Sequence, residues 1–440
     1  MKQRMIFFIL IFILLLFIPR TNSKYFLTDN KVLGVKSSKF NVTVTTNGPL
    51  TIRDNKSDYL RITFKNNENK EVRADILVNG YRLGSVVVSA NNSKTSYYYL
   101  SDSNFNSLST GSSYPVLVKY TAPYKSTRNV TSVKKLSSTL YDKIKKESLG
   151  TDTSKGIDYG RANSNYNGEG VYILNESKND TNPVYFYRGT HDLNNNLIYA
   201  NFCWKIVRTT DTGGIRIVFN GYPSSGRCTT TTGTQTQIGS DIFNRLLDPP
   251  FIGYMFGEPR DMYGNRFDSI IKERIDTWYR NNILNTSYES KLDRVATYCG
   301  DRRRGRRDPG GYTFIVVDRI ERNHPTMECL LNDSYGVNGG NGALNYPIAL
   351  LSADEVKLAG LVNSRTPNTN FYLFNEEEYW LMSPSAWDVR LGASVIFVDR
   401  LGASAGMRVN RVFGIRPALT IVKSTPLLSG TGSKTNPYVI

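Results

Sequence analysis

Between residues 24 and 123 apolar and polar positions alternate in short runs broken by turns. Phe40, Val42 and Val44 are separated by polar residues, as are Leu60, Ile62 and Phe64; Ala74, Ile76 and Val78 keep the same period. A period of two marks a strand with one buried face. Further runs at 86–88, 97–100 and 116–120 bring the set to about seven strands, with tight-turn chemistry at Asn47-Gly48 and Asn79-Gly80. Seven short strands in about 100 residues predict an all-β, immunoglobulin-like sandwich over 24–123. The Cys-Trp-Cys core of such domains is absent, so only the general architecture is expected.

The period changes after Pro123. Val133, Leu136, Leu140 and Ile144 recur at spacings of three and four, with Lys134, Lys135, Lys143, Lys145 and Lys146 on the other faces. This predicts one amphipathic helix, whose narrow apolar stripe suits docking onto the C-terminal domain. Residues 150–182 are rich in Gly, Asn, Ser and Asp, with an apolar island at 171–174. The stretch 124–182 thus reads as a helix and an irregular connector.

Residues 183–440 form the large domain. An aromatic strand at 184–188 precedes alternation through Phe202, Trp204 and Ile206, a turn at Asp211-Thr212-Gly213-Gly214, and a return through Ile215, Ile217 and Phe219, which is a hairpin. Trp204 is expected in the core. Asp268 can cap a helix carrying Ile271, Ile275 and Trp278, and Ser352 with Glu355 makes a capping box closed by Gly360. Toward the end, Arg-Leu-Gly-Ala-Ser occurs at 390–394 and again at 400–404. The β-branched and aromatic run between the copies predicts short hairpins in which one strand-and-turn geometry is used twice.

Composition adds a compartment. Lys2 and Arg4 precede an apolar run at 5–18, closed by Pro19 and small residues at Thr21 and Ser23. This is the pattern of a secretory signal peptide over 1–23; the run is shorter than the roughly 20 residues of a membrane span, so an uncleaved N-terminal segment is the lesser reading. Residues 437–440 offer neither a hydrophobic tail nor a basic stop, and no anchor is expected there. Four cysteines, Cys203, Cys228, Cys299 and Cys329, admit three pairings in an exported chain. Sequential pairing is the simplest, and none of the four has metal-ligand spacing.

The Trp-Leu-Met-Ser-Pro corner at 380–384, the Gly-rich region after it and the closing Gly-Ile-Arg-Pro-Ala-Leu at 414–419 resemble the end of C-type-lectin-like domains of the formylglycine-generating-enzyme type. Upstream, the stretches GEGVYIL, NDTNPVYFYRG, ANFCWKIVRTTDTGGIRIVFNG and ATYCGDR are similar to earlier elements of that module. The resemblance spans roughly residues 129–440 and implies an α+β C-type-lectin-like fold, found in uncharacterised extracellular modules of bacterial surface proteins. Two helices against several hairpins agree with that fold. The family's oxidases use reactive cysteines near the C-terminal end or histidine-bound iron. This chain has no cysteine after 329 and only His191 and His324, so an enzyme is not expected.

The net charge of +17 makes polyanions attractive partners. For an exported chain these are polysaccharides, cell-wall polymers or host surface proteins. Nucleic acid is not expected, because no aromatic residue interleaves Arg302, Arg303, Arg304, Arg306 and Arg307. That arginine block could hold phosphate or carboxylate or form a solvated basic loop; the latter is the expectation. Glu376, Glu377 and Glu378 with Asp388 and Asp399 are hard oxygen donors of the kind calcium takes; a solvated face is expected, and no cofactor. Binding is expected from loops on the rigid scaffold, with Arg390, Asp399, Arg400, Arg408, Asn410 and Arg411 as polar contacts and Trp387 as a stacking group. The function these readings imply is ligand binding or adhesion, with an enzyme relative or a structural envelope spacer as the alternatives.

Overall fold

The computed structural model describes residues 40–52, 59–99, 108, 111–135, 139–153, 156–162, 169–258, 261 and 263–440. The expected signal segment lies outside them. The chain is mainly β-sheet, with four α-helices among the described residues, and divides into two compact units between Ser137 and Ser138. No helix among the described residues is long and apolar enough to cross a membrane.

The N-terminal unit holds β1 (Val42–Thr46), β2 (Leu50–Ile52), β3 (Tyr59–Asn66), β4 (Val72–Val78), β5 (Tyr81–Val88), β6 (Ser93–Tyr99), β7 (Ser113–Ala122) and β8 (Ser126–Lys135). They make two sheets, ordered β1-β3-β6 and β2-β8-β7-β4-β5. The alternating apolar sets point inward as expected: Val44, Leu60, Ile62 and Phe64 of one sheet share a core with Val72, Ile76, Val86, Val116 and Val118 of the other.

The helix expected from Val133 onward starts later. Residues 126–135 instead form β8, antiparallel to β7 from Tyr120↔Ser126 to Ser113↔Lys134, with Val133 buried in the sandwich core. Thr127, Val130, Thr131 and Val133 are β-branched, stiff at χ1 and suited to a pleated surface, so the three-four spacing was coincidental. Leu136 lies outside the described residues. The helix proper, α1 (Leu140–Leu149), is started by Thr139 and Asp142 in a capping box and buries Leu140, Tyr141 and Ile144 in the C-terminal unit.

In the C-terminal unit, β9 (Gly170–Ile173), β10 (Tyr185–Arg188), β11 (Asn196–Tyr199), β12 (Phe202–Thr209) and β13 (Ile215–Phe219) come first. The apolar island at 171–174 is thus an edge strand, antiparallel to β10. Ala200 and Asn201, both at positive φ, split the run expected from Leu197 to Thr210 into β11 and β12. Trp204 is fully buried, its Nε1–H donating to the Tyr199 carbonyl at 2.9 Å.

Next come β14 (Ser240–Ile242), β15 (Met255–Phe256), β16 (Phe267–Asp268), α2 (Ile270–Asn282), β17 (Tyr298–Cys299), β18 (Arg304–Asp308), β19 (Gly311–Phe314), α3 (Ile315–Glu321), β20 (Ser334–Tyr335), β21 (Ile348–Ala349) and α4 (Ala353–Ala359). Ser269, not Asp268, caps α2, accepting from the Lys272 N–H, while Asp268 pairs with the Lys272 ammonium at 2.9 Å. The capping box of Ser352 and Glu355 is formed, and Gly360 ends α4 at φ 142°.

The chain closes with β22 (Tyr379–Asp388), β23 (Gly392–Val398), β24 (Ser404–Arg408), β25 (Val412–Gly414), β26 (Ala418–Ile421) and β27 (Tyr438–Val439). One sheet runs β21-β26-β13-β12-β10-β9, with β11 joined to β12 and β27 to β11. A second runs β14-β25-β22-β19-β18, with β23 added on β22 and β24 on β23. One large core, including Trp204, Phe219, Trp380, Phe397 and Phe413, lies against both. The cysteines pair sequentially, Cys203 with Cys228 and Cys299 with Cys329.

Candidate functional site

Three turns meet at one end of the second sheet. Strand register sets Gly311 beside Asp388 and Asp388 beside Gly392, which brings the β18–β19 turn against the β22–β23 turn. The Val389 N–H donates to the Gly310 carbonyl at 2.9 Å and ties them together. The Asp388 carboxylate accepts the N–H groups of Arg390 and Leu391, at 2.8 and 3.1 Å, and fixes the second turn. The β24–β25 turn joins them where Ser394 opposes Arg408 and the Val409 N–H reaches the Ala393 carbonyl at 3.0 Å.

On this scaffold Tyr312 and Trp387 lie opposite one another, ring centroids 5.9 Å apart and half-buried. The Arg304 guanidinium sits 4.4 Å from the Tyr312 ring centroid, within cation–π range, and burial raises the Tyr312 hydroxyl above its ordinary pKa. Arg306 and Arg307 continue the exposed edge strand, Arg306 pairing with Asp308 at 3.2 Å. Arg390, Arg408, Asn410 and Arg411 are all exposed, and an Arg408 Nη2–H donates to the Arg390 carbonyl at 3.4 Å. Val389, Leu391 and Val412 add exposed apolar rims. Planar forks beside an aromatic pair suit carboxylate, sulfate or phosphate groups on a larger molecule. On the edge strand the same charges also discourage pairing with other chains.

The seven expected contact residues divide into two groups. Trp387, Arg390, Arg408, Asn410 and Arg411 come together; Asp399 and Arg400 occupy the turn at the opposite end of β23, roughly 20 Å away at a strand rise of about 3.3 Å per residue. There the Asp399 carboxylate accepts the Leu401 and Ala403 N–H groups at 2.8 and 2.9 Å, and Arg400 pairs with Glu377 at 3.4 Å and Glu378 at 3.9 Å. The acidic residues considered for calcium are divided in the same way, Asp388 and Asp399 each serving its own turn. Among the described residues no group of three or more His, Cys, Asp or Glu side chains is placed to hold a metal ion.

The arginine block is not the uniform solvated loop expected. Arg302 is buried against Asp333; Arg303 pairs with Asp301 at 2.6 Å, and Asp301 in turn with Arg319 at 2.7 Å. Arg304, Arg306 and Arg307 alone reach the outside. Asp308-Pro309-Gly310-Gly311 is a hairpin signal that would have set these arginines opposite Tyr312 and Phe314, but nothing local in sequence brings Trp387 beside them.

The histidines lie apart from this surface. His191 packs at 6.4 Å on the Phe374 ring, its pKa lowered to about 4 by burial and then by Lys205, Lys434 and Arg416, and His324 is exposed. A small cavity beside the second disulfide, of about 40 Å³ and bordered by Arg208, Cys299, Cys329, Asp354 and Glu355, has room for water but not for a metabolite. Comparison with protein-family models and with curated proteins found no match to this chain.

Proposed function

We propose that this chain is an exported bacterial surface protein that binds an anionic ligand, a polysaccharide, wall polymer or host surface protein, and acts as an adhesin. In this reading the N-terminal unit is an immunoglobulin-like sandwich, and the C-terminal unit a C-type-lectin-like domain that presents the ligand-binding turns. The observation that carries the reading is the convergence of Arg304, Arg390, Arg408 and Arg411 with Tyr312 and Trp387 at one sheet end. Supporting it are the two disulfides, the basic net charge and the signal-like N-terminus.

The test is a binding screen of the full chain against glycans, purified wall polymers and host matrix proteins. A specific ligand should bind at least tenfold more weakly to Arg390→Ala/Arg408→Ala and lose affinity as salt is raised, while Arg400→Ala, at the far turn, binds as the native protein does. Absence of specific binding across the panel, or equal loss in Arg400→Ala, overturns the assignment of this surface.

A further inference from the structure

The N-terminal unit carries a second surface built in a different way. In the β1-β3-β6 sheet, Tyr59 lies opposite Tyr99, Arg61 opposite Tyr97, Thr63 opposite Thr95 and Lys65 opposite Ser93. The alternate positions Leu60, Ile62, Phe64 and Tyr98 are buried in the sandwich core. A one-residue slip would turn that core set outward, so the register is strongly held and the outward residues stand in a fixed array.

Tyr59, Tyr97 and Tyr99 are 47%, 55% and 64% exposed, yet Tyr59 touches both others, its ring centroid 5.6 Å from that of Tyr97 and 6.1 Å from that of Tyr99. Single exposed aromatics need no account, but three in contact on one face form a patch. Around them the outward positions are hydroxyls and cations. Thr63 and Thr95 are hydrogen-bonded at 2.8 Å, and the charged residues of the three strands are Arg61, Lys65 and Lys94, with no carboxylate among them. Elsewhere in this unit the described carboxylates Glu71 and Asp75 are paired with Arg73 and Arg82, and Glu68 accepts the Asn41 N–H.

We propose that this face binds an acidic polysaccharide. The C–H faces of sugar rings pack on the tyrosines, whose hydroxyls remain available to sugar oxygens. Thr and Ser hydroxyls bond the sugar hydroxyls, and Arg61 and Lys65 take the carboxylate or phosphate substituents. The absence of carboxylates from β1, β3 and β6 sets the sign of the ligand. The absence of Leu, Ile, Val or Met from the outward positions of β3 and β6 favours a glycan over a protein, whose interface core would be more apolar.

This surface is independent of the arginine-rich turns, so the test uses the full chain carrying Arg390→Ala/Arg408→Ala, in which those turns are silenced. Affinities are measured for polygalacturonate, hyaluronan, a glycerol-phosphate polymer and neutral dextran. At least one acidic polymer is expected to bind, with a loss of tenfold or more in Tyr97→Ala/Tyr99→Ala and severalfold in Arg61→Gln; dextran is expected not to bind. Comparing carboxylated with phosphate polymers identifies the source of the charge. Thermal melts of these surface variants should match the parent, which separates binding from folding. The proposal is overturned if no acidic polymer binds, if dextran binds equally well, or if the tyrosine variants leave affinity unchanged. It is equally overturned if the tyrosines prove to be covered by a second copy of the chain, seen as a concentration-dependent dimer that Tyr97→Ala/Tyr99→Ala abolishes.

Discussion

Arg302 and Asp333 form an ion pair with both side chains closed off from water, the guanidinium Nη2 lying 2.6 Å from a carboxylate oxygen. The same carboxylate accepts the Arg302 backbone N–H at 2.5 Å. The rest of the guanidinium donates to the carbonyls of Met255, Tyr263 and Gly264, each at 3.1 Å, and to the Asn265 side chain at 2.8 Å. One side chain thus fastens Met255 and residues 263–265 to the loop between β17 and the arginine edge. Removing one partner of a buried pair leaves an uncompensated charge and costs about 3–5 kcal/mol. Arg302→Ala and Asp333→Asn should each lower the unfolding free energy by that order in denaturant titration. Arg304→Ala, two residues on and exposed, should stay within about 0.5 kcal/mol. All four tryptophans, at 204, 278, 380 and 387, lie in the C-terminal unit, so their fluorescence reports its unfolding.

The two disulfides should differ in reactivity. Cys203 and Cys228 are each 1% exposed, whereas Cys299 and Cys329 border the small cavity and are half-buried. Exchange requires a thiolate to reach a sulfur, so limited reduction followed by alkylation and mass spectrometry should label Cys299 and Cys329 first. Each bridge closes a loop of 25 or 30 residues, worth about 3 kcal/mol in the chain-entropy model. Replacing either pair by serine should destabilise the C-terminal unit by that order, and equal labelling of all four cysteines would contradict the difference in access.

The alternation of Leu60, Ile62 and Phe64 and the capping box at Ser352 were legible because both are local: each depends on residues within a few positions. The twin Arg-Leu-Gly-Ala-Ser copies were legible for the same reason. Both form turns in which an Asp carboxylate accepts N–H groups and a glycine takes a positive φ, 76° at Gly392 and 73° at Gly402. What could not be read was distance across the fold. A single strand separates Arg390 from Arg400, so two copies ten positions apart in sequence face opposite ends of the sheet. Arg302 and Arg304 are indistinguishable by composition, and only the location of Asp333 makes one a buried anchor and the other a surface group. Residues 126–135 carried both a helical spacing and β-branched side chains, and pairing with β7 decided between them.

Lys205 is fully buried and its Nζ has no hydrogen-bond partner among the described residues. Burial, reinforced by Lys434 and Arg416, lowers its pKa to about 7. Because this lies below the ordinary lysine value, the unfolded chain holds a proton that the folded chain lacks between about pH 7 and 10.5. Stability therefore rises with pH across that window, and the penalty is fully present below about pH 7. Lys205→Met has no such group. Between pH 7 and 9 the native protein should gain on the order of 2 kcal/mol more unfolding free energy than Lys205→Met. Parallel stability curves for the two proteins would show that Lys205 keeps its proton in the fold.

Gly392 and Gly402 allow turn geometry and ligand binding to be separated. Both need the left-handed backbone, which costs a residue with a Cβ roughly 1–2 kcal/mol. Their surroundings differ in degree: a Cβ at Gly392 would stand 2.5 Å from the Leu247 Cβ and 3.1 Å from the Leu247 carbonyl oxygen, whereas one at Gly402 would meet the Asn368 carbonyl oxygen still more closely. Gly402→Ala should therefore be the more destabilising in denaturant titration. Binding should follow the opposite order, because the Gly392 turn carries Arg390 and abuts the arginine edge while the Gly402 turn lies at the far end of β23. Gly392→Ala should weaken the ligand severalfold while remaining folded, and Gly402→Ala should bind normally at temperatures where it is still native. If the two variants lost affinity in proportion to their loss of stability, the arginine-rich turns would be no more than a part of the general fold, and the proposed surface would have to lie elsewhere.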